Sequence, residues 1–358
     1  MERKRAVEFL DRLIKQSRVD AILITDLANV WYLSGFRGSE GAILFSKKGR
    51  WFFSDFRYRD QAEEEVSGFK VKIFKNKFKE IQRLLHRLGV RNLGFEASGL
   101  SCQLFRAFKK EMKGIRLKVL KKSLAEIRAR KDPDEIRWIS NAAKLAEKGL
   151  STALKSFRAG ITELDFAAEL EYQIRKAGSG WMPFETIVAS GPRGAFPHAK
   201  ATGKKIKKGE LVVIDFGAAF NGYGADLTVT VAAGDPGRKA RELYQIVSTA
   251  QKQAIAGLEP GKLCRDIDRL ARGYIRRRGY GRYFGHGLGH GLGLAVHEEP
   301  AINSKSETVL EPGMVFTIEP GIYLPGQFGV RIEDDLVLNN EKKPLLFSRS
   351  NQPLRVLE

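Results

Sequence analysis

Three of the chain's five histidines, His286, His290 and His297, fall in one stretch, YFGHGLGHGLGLAVHEEP. Glycine takes every second position there from Gly285 to Gly293. Alternate glycines strip side chains from one face of an extended segment, so a metal ion, a substrate or a neighbouring backbone can come close. His290 is central and is the candidate nitrogen ligand. Two pairs of acids lie at matched positions. Asp215 and Asp226 flank a turn containing Asn221-Gly222, a hairpin signal. Glu319 and Glu333 flank YLPGQFG, with Pro325-Gly326 midway. Two hairpins would set each pair of carboxylates together. VVIDFG and FTIEPG place acids directly after apolar runs, which predicts burial. Buried carboxylates repel one another and lose hydration, so their pKa values rise. One divalent cation, or two, would neutralise them. Ion pairing with arginine or lysine is the alternative for any single acid. Two matched pairs beside a histidine segment favour the metal. Mixed carboxylate and imidazole ligands suit manganese, iron, cobalt or zinc rather than calcium.

Two other chemistries are excluded. HEEPA lacks the second histidine of the zinc-protease helix motif, and the alternating glycines do not give the Gly-x-Gly-x-x-Gly of dinucleotide sites.

The elements that must carry these residues read as follows. The chain has 358 residues, which suits about two domains. Val7, Leu10, Leu13 and Ile14 recur at helical spacing. AILIT, the AILFS and WFFSD hairpin around KKGR, FKVKIF, NLGFEA and LKVLK read as strands. FKEIQRLLHRLG reads as a helix ending at Gly89. Residues 1–127 are therefore expected to form a small α/β domain, with the junction between Ser123 and Asp132. Residues 128–358 are expected to form a second, α+β domain. Asp132 and Pro133 open a helix to Phe157, with Asp132 as its N-cap. Another helix covers Glu163 to Ala177, and FETIVAS, ELVVIDFGA and ADLTVTVA follow as strands. Helices near Gly237–Gly257 and Leu263–Arg278 then precede strands at GLGLAVH, MVFTIEP and VRIEDDLVL. The repeated order of elements suggests a duplicated α+β unit.

Composition bounds the rest. Net charge is +20, but Lys and Arg are dispersed, with no zinc-finger spacing, aromatic-basic RNA motif or basic tail. A solvated basic surface is expected, with no specific nucleic-acid partner. No apolar stretch is long enough to cross a bilayer or act as a signal, so the expected location is the cytoplasm and no membrane partner is expected. Two cysteines, Cys102 and Cys264, are too few for a disulfide framework.

VVIDFGAAFNGYGADLTVT, GHGLGHGLGLAVHEEP, FTIEPGIY and VRIEDD together resemble the pita-bread metallopeptidases, a group that includes methionine aminopeptidase, prolidase, X-Pro aminopeptidase and creatinase. DLANVWYLSGFRGSEGAILF and FSDFRYRDQAEEEV resemble the creatinase-type N-terminal domain, and FETIVASGPRGAFPHA resembles the substrate side of the proline-directed members. The resemblance covers nearly the whole chain. It implies a pita-bread catalytic domain preceded by the smaller α/β domain. It implies two divalent ions, manganese or cobalt first and zinc or iron next, held by Asp215, Asp226, His290, Glu319 and Glu333. Glu319 would also move the proton. His198 and His297 would donate hydrogen bonds to the reacting carbonyl, His286 would line the substrate site and Arg331 would orient Glu333. The implied substrates are proline-containing peptides and the implied assembly is a homodimer.

Ala301, in HEEPAI, stands where some archaeal-type dipeptidases carry an arginine that grips the dipeptide carboxylate. Arg193 is another cation that could serve. The expectation is therefore an X-Pro aminopeptidase that tolerates longer peptides, with strict X-Pro dipeptidase (prolidase) activity as the alternative. A catalytically silent binding protein on the same fold is a third reading, which the complete ligand set disfavours.

Overall fold

The computed structural model describes residues 4–340 and 344–358. The chain divides into two compact units, Met1–Ile127 and Arg128–Glu358. In the first, β1 (Ala21–Ile24), β2 (Ala42–Ser46), β3 (Gly49–Asp55), β4 (Lys70–Phe74), β5 (Asn92–Phe95) and β6 (Arg116–Val119) form one sheet in the order β4-β3-β2-β1-β5-β6. Its helices are α1 (Lys4–Ser17), α2 (Leu27–Ser34), α3 (Arg59–Glu65), α4 (Lys77–Arg87) and α5 (Cys102–Glu111). α1 buries Phe9, Leu10, Leu13 and Ile14 along one stripe, as its spacing requires. Gly89, at φ 66°, turns the chain out of α4. A short helix, α6 (Leu124–Arg128), carries the boundary in sequence.

The second unit opens with α7 (Pro133–Ala153), where the Glu135 carboxylate accepts the Asp132 N–H at 2.7 Å. α7 stops short of Phe157 because the chain turns through Leu154 to Phe157. α8 (Glu163–Ala177) follows. Together they cover a four-stranded sheet built from β7 (Ile187–Ser190), β8 (Glu210–Phe216) and β11 (Leu227–Ala233), with β19 (Arg355–Leu357) at its edge. Ile174, Phe166, Val212, Ile214 and Val231 close that core. Between β8 and β11, the short strands β9 (Ala219–Phe220) and β10 (Tyr223–Gly224) meet at Asn221-Gly222, both at positive φ (47° and 91°). That turn matches the right-handed twist of the strands.

A second helix pair, α9 (Gly237–Ala256) and α10 (Cys264–Arg277), packs over a second core with Phe316, Ile318, Ile332 and Leu336. Its sheet runs β13-β12-β14-β17-β18, from β12 (Gly289–Gly291), β13 (Glu298–Ile302), β14 (Val315–Ile318), β17 (Asp334–Val337) and β18 (Leu345–Leu346). β15 (Gly321–Leu324) and β16 (Phe328–Arg331) form a separate hairpin around Pro325 to Gln327.

Three expected strands differ from the observed ones. MVFTIEP and VRIEDDLVL do not run unbroken. Ile318 pairs with Asp334 and Gly321 with Arg331, so one register spans both hairpins, yet the ladder opens at Glu319-Pro320 and Ile332-Glu333. Pro320 has no N–H to give, and the Glu333 N–H leaves the ladder to donate to Thr228 O at 3.0 Å. GLGLAVH is mostly loop: β12 ends at Gly291 and regular pairing resumes at Glu298.

The alternating glycines serve close backbone packing. A Cβ on Gly289 would lie 2.0 Å from Thr317 O, and one on Gly291 2.1 Å from Glu299 O, because β12 is wedged between β14 and β13. A Cβ on Gly285 would meet open space. Gly291→Ala is expected to cost ~1–3 kcal/mol as an overpacked site and to lower Tm by several degrees. Gly285→Ala should melt like the parent protein. Equal melts for the two variants would contradict this.

Candidate metal centre

Each acid of interest sits where a strand ends. Asp215 is near the end of β8, paired in register with Thr228, and Asp226 immediately precedes β11. Glu319 follows β14, and Glu333 stands in the gap between β16 and β17. Strand ends free these side chains from the ladder and turn them into a cleft of ≈ 650 Å³. Asp226, His290 and Glu333 each offer a ligand atom, all within 4.8 Å of one another. His290 Nε2 lies 3.7 Å from Asp226 Oδ2 and 3.5 Å from Glu319 Oε1. The other ring nitrogen, Nδ1, is 3.1 Å from Gly291 O. A proton on Nδ1 makes that bond and leaves the Nε2 lone pair facing the carboxylates. Asp215 Oδ1 is buried and has no hydrogen-bond partner.

The electrostatics of the cleft favour a positive charge among these acids. Burial, then the fields of Glu333, Asp215, Asp335 and Glu319, push Asp226 well above the usual carboxylate range. Burial with Glu319 and Asp215 does the same to Glu333. Glu319 is pushed up to about 8 by burial, against the pull of Arg331 and with Asp215 adding to the rise. Burial first, with Arg331 or His297 adding, drives His286 and His290 down to about 4. At neutral pH both imidazoles are thus neutral, as ligation requires, while the acids are too crowded to ionise together. A divalent cation resolves that crowding, so the donor set fits one.

The surrounding groups fix these donors. Arg331 donates from Nη2 to Asp215 Oδ2 at 2.5 Å, from Nε to Thr228 Oγ1 at 3.0 Å and from Nη1 to Tyr323 OH and Pro197 O, each at 3.0 Å. Thr228 Oγ1 in turn donates to Glu333 Oε2 at 2.7 Å. Tyr323 OH lies 2.9 Å from His286 Nε2, whose Nδ1 is 2.8 Å from Gly287 O. Asp335 Oδ2 accepts the Asp226 N–H at 3.0 Å. The His297 ring stands edge-on to His290, 4.3 Å between centres. The loop before it wraps Glu298, whose buried carboxylate accepts the Ala295 N–H at 2.8 Å and pairs with buried Arg128 and Lys131. Burial works against the Glu298 charge, yet Lys131 and Arg128 hold its pKa below the ordinary value.

The structure therefore brings Asp215, Asp226, His290, Glu319 and Glu333 to one cleft, and His198, His286, His297 and Arg331 line it with them. Arg193 does not line it: Nε donates to Glu163 Oε2 at 2.9 Å, a carboxylate wholly buried beneath the loop. Tyr323, Thr228 and Glu298 were not legible as site residues. For Tyr323 there was a signal, the pairing of GIYL against FGVR, which puts Gly329 opposite it. A Cβ at Gly329 would lie 3.0 Å from the Tyr323 ring and 1.9 Å from Gly194 O.

Residues 137–340 match metallopeptidase family M24, and residues 7–130 match the creatinase/prolidase N-terminal domain. The chain belongs to metallopeptidase family M24. A Pyrococcus horikoshii protein named Xaa-Pro dipeptidase is 38% identical over 94% of this chain and 93% of its own length. The structure of an Xaa-Pro dipeptidase from Bacillus anthracis superposes with a TM-score of 0.95 at 37% identity, over 99% of each chain. That of an X-Pro aminopeptidase from Thermotoga maritima gives 0.90 at 37% identity, over 100% of this chain and 99% of the other. The creatinase-type domain and pita-bread catalytic domain expected from the family resemblance are thus the fold this peptidase adopts. Among the described residues no helix is long and apolar enough to cross a membrane.

Two outcomes follow for the family site in this chain. His286 and His290, neutral in the folded state, have also lost their protons in the unfolded chain by about pH 7.5, so above that pH the buried acids set the slope. An unfolded glutamate ionises near 4.5, whereas folded Glu319 keeps its proton to about 8. The folded state binds more protons, so stability falls as pH rises through that range. Chelator-stripped protein should melt lower at pH 9 than at pH 7.5, and added Mn²⁺ should flatten the slope. A metal-free Tm that rises with pH would contradict this. Glu298→Gln should cost ~3–5 kcal/mol by stranding buried cations, read as a fall in the denaturation midpoint.

Proposed function

We propose that this chain is an X-Pro dipeptidase, hydrolysing the bond between an N-terminal residue and a following, C-terminal proline. The observation that carries the reading is the group of buried Asp226 and Glu333 with half-buried His290 facing the cleft, on a chain that matches proteins named Xaa-Pro dipeptidase over nearly its full length. A cleft of ≈ 650 Å³ suits a small peptide. Asp215, Asp226, His290, Glu319 and Glu333 would hold two divalent ions, manganese or cobalt before zinc or iron. Such ions polarise a carbonyl and make water a nucleophile at neutral pH.

The chain's own residues do the rest. Glu319, whose carboxyl retains a proton more readily than an ordinary glutamate, takes a proton from the attacking water and returns it to the proline nitrogen. His198 and His297, exposed in the cleft wall, donate hydrogen bonds to the oxygen on which charge develops. His286, kept neutral by burial and the nearby charge of Arg331 and oriented by Tyr323 and Gly287, forms part of the substrate wall. Arg331 fixes Asp215 and, through Thr228, the carboxylate of Glu333.

The aminopeptidase reading expected from Ala301 is the second reading, favoured by the likeness to the Thermotoga maritima aminopeptidase. A homodimer in the cytoplasm is proposed with either, and sedimentation at micromolar concentration tests the assembly. After removal and return of Mn²⁺ or Co²⁺, the enzyme should cleave X-Pro, leave X-Ala intact and cleave X-Pro-Y less well. Equal or better cleavage of X-Pro-Y would transfer the assignment to the aminopeptidase. Full activity in chelator, or cleavage of X-Ala at the X-Pro rate, would overturn both. His297→Ala should lower kcat by roughly 10²–10³.

A further inference from the structure

A dipeptide differs from every longer peptide by the carboxylate next to its proline ring. Recognising it takes a cation that can give charge-assisted hydrogen bonds. Among the residues lining the cleft, the cationic side chains besides the histidines are Arg331 and Lys200. Arg331 is committed, with Nε, Nη1 and Nη2 all donating to fixed partners and its side chain 4% exposed. Ala301, across the ladder from His290, brings only a methyl group.

Lys200 is different. Its Nζ lies 2.8 Å from Glu185 Oε2, and the two side chains are 76% and 62% exposed. An ion pair open to water contributes little, because solvent screens it and two long side chains lose freedom in making it. A ligand carboxylate can therefore displace Glu185, which no ligand could do to Arg331. The backbone that presents Lys200 is nonetheless rigid. The carbonyl of Pro197 accepts from Arg331 at 3.0 Å. The buried Glu163 carboxylate gathers Ser190 Oγ at 2.7 Å, Arg193 Nε at 2.9 Å and Thr202 Oγ1 at 2.9 Å. Arg193 also donates to the carbonyl of Lys200 itself. The loop is thus pinned on either side of His198 and Lys200. It offers one mobile charge on a fixed mount, two residues along from a histidine of the reaction centre.

We infer that Lys200 is the specificity-determining residue for substrate length: it grips the free carboxylate of an X-Pro dipeptide, with Glu185 holding it in place until substrate arrives. This rests on the dipeptidase reading above. Glu185 would then be a competitor, so removing either member of the pair should act in opposite directions.

The test compares alanyl-proline with its C-terminal amide, which keeps everything except the negative charge. Wild-type enzyme should prefer the acid. Lys200→Gln should lower kcat/KM for the acid about tenfold, the scale of a lost charge-assisted contact, chiefly through KM. Lys200→Glu should reverse the preference. Glu185→Gln should lower KM for the acid severalfold. Because both side chains are exposed, the variants should melt like the parent. A Lys200→Gln enzyme that keeps the wild-type ratio of acid to amide overturns the anchor and leaves the dipeptidase reading standing. Wild-type enzyme indifferent to the amide overturns the anchor and moves the assignment towards longer peptides. An enzyme that cuts neither ends the X-Pro reading and the anchor with it.

Discussion

Mutual repulsion among carboxylates is the constraint this catalytic unit is built around. Asp215, Asp226, Glu319 and Glu333 crowd a cleft where water screens poorly, and burial together with one another's charge raises the proton affinity of Asp226, Glu319 and Glu333. A flexible chain would relieve that strain by moving the groups apart. Here they cannot move, because each stands at the end of a hydrogen-bonded strand. Arg331 offsets part of the charge and is itself strongly buried. The remainder is what makes the centre a receptor for cations. The cost of assembling it is carried by two apolar cores, one under each helix pair.

The sheets explain why strand ends, rather than strand middles, carry these acids. A residue within a ladder points along the pleat, its neighbours set by register. At the openings beside Pro320 and Glu333 the backbone turns partners outward, and the main-chain groups freed there find others. The Glu333 N–H reaches Thr228 O, and Gln251 reaches Ile318 O at 3.0 Å. These main-chain groups are therefore answered even where the ladder is cut.

Much of this could be read in the sequence, for reasons that are local. Asn221-Gly222 and Pro325-Gly326 announce their turns, and counting outward from each gives the register that brings the flanking acids near one another. The helices follow their apolar stripes. Features that depend on distant partners were not legible. Pro320 marks a place where a ladder can break, but that Glu333 leaves to join Thr228 depends on a second sheet. The glycines around His290 read equally well as room for a ligand or for backbone, and the structure answers backbone for Gly289 and Gly291. Glu298 looked like any acid beside a histidine. Its partners, Arg128 and Lys131, lie far back in the chain, and no spacing rule connects them. Arg193 was legible as a cation but not as one already taken, since Glu163 lies hidden in the first turn of α8.

The bridge between Thr228 and Glu333 also bears on how the chain assembles. Each acid pair is closed by a turn only a few residues long, so each half of the centre can form from local contacts. The hydroxyl bond that unites the halves spans 105 residues, and the Asp226 to Asp335 bond spans 109. Contacts of such separation carry a larger entropic cost than those within either hairpin, because a long loop must close before they return anything. Before that step there are two half-centres, each with two like charges and no shared ligand. The full set of crowded acids therefore exists only once the second sheet has docked on the first, so the electrostatics of the cleft belong to the whole catalytic unit and to neither hairpin alone.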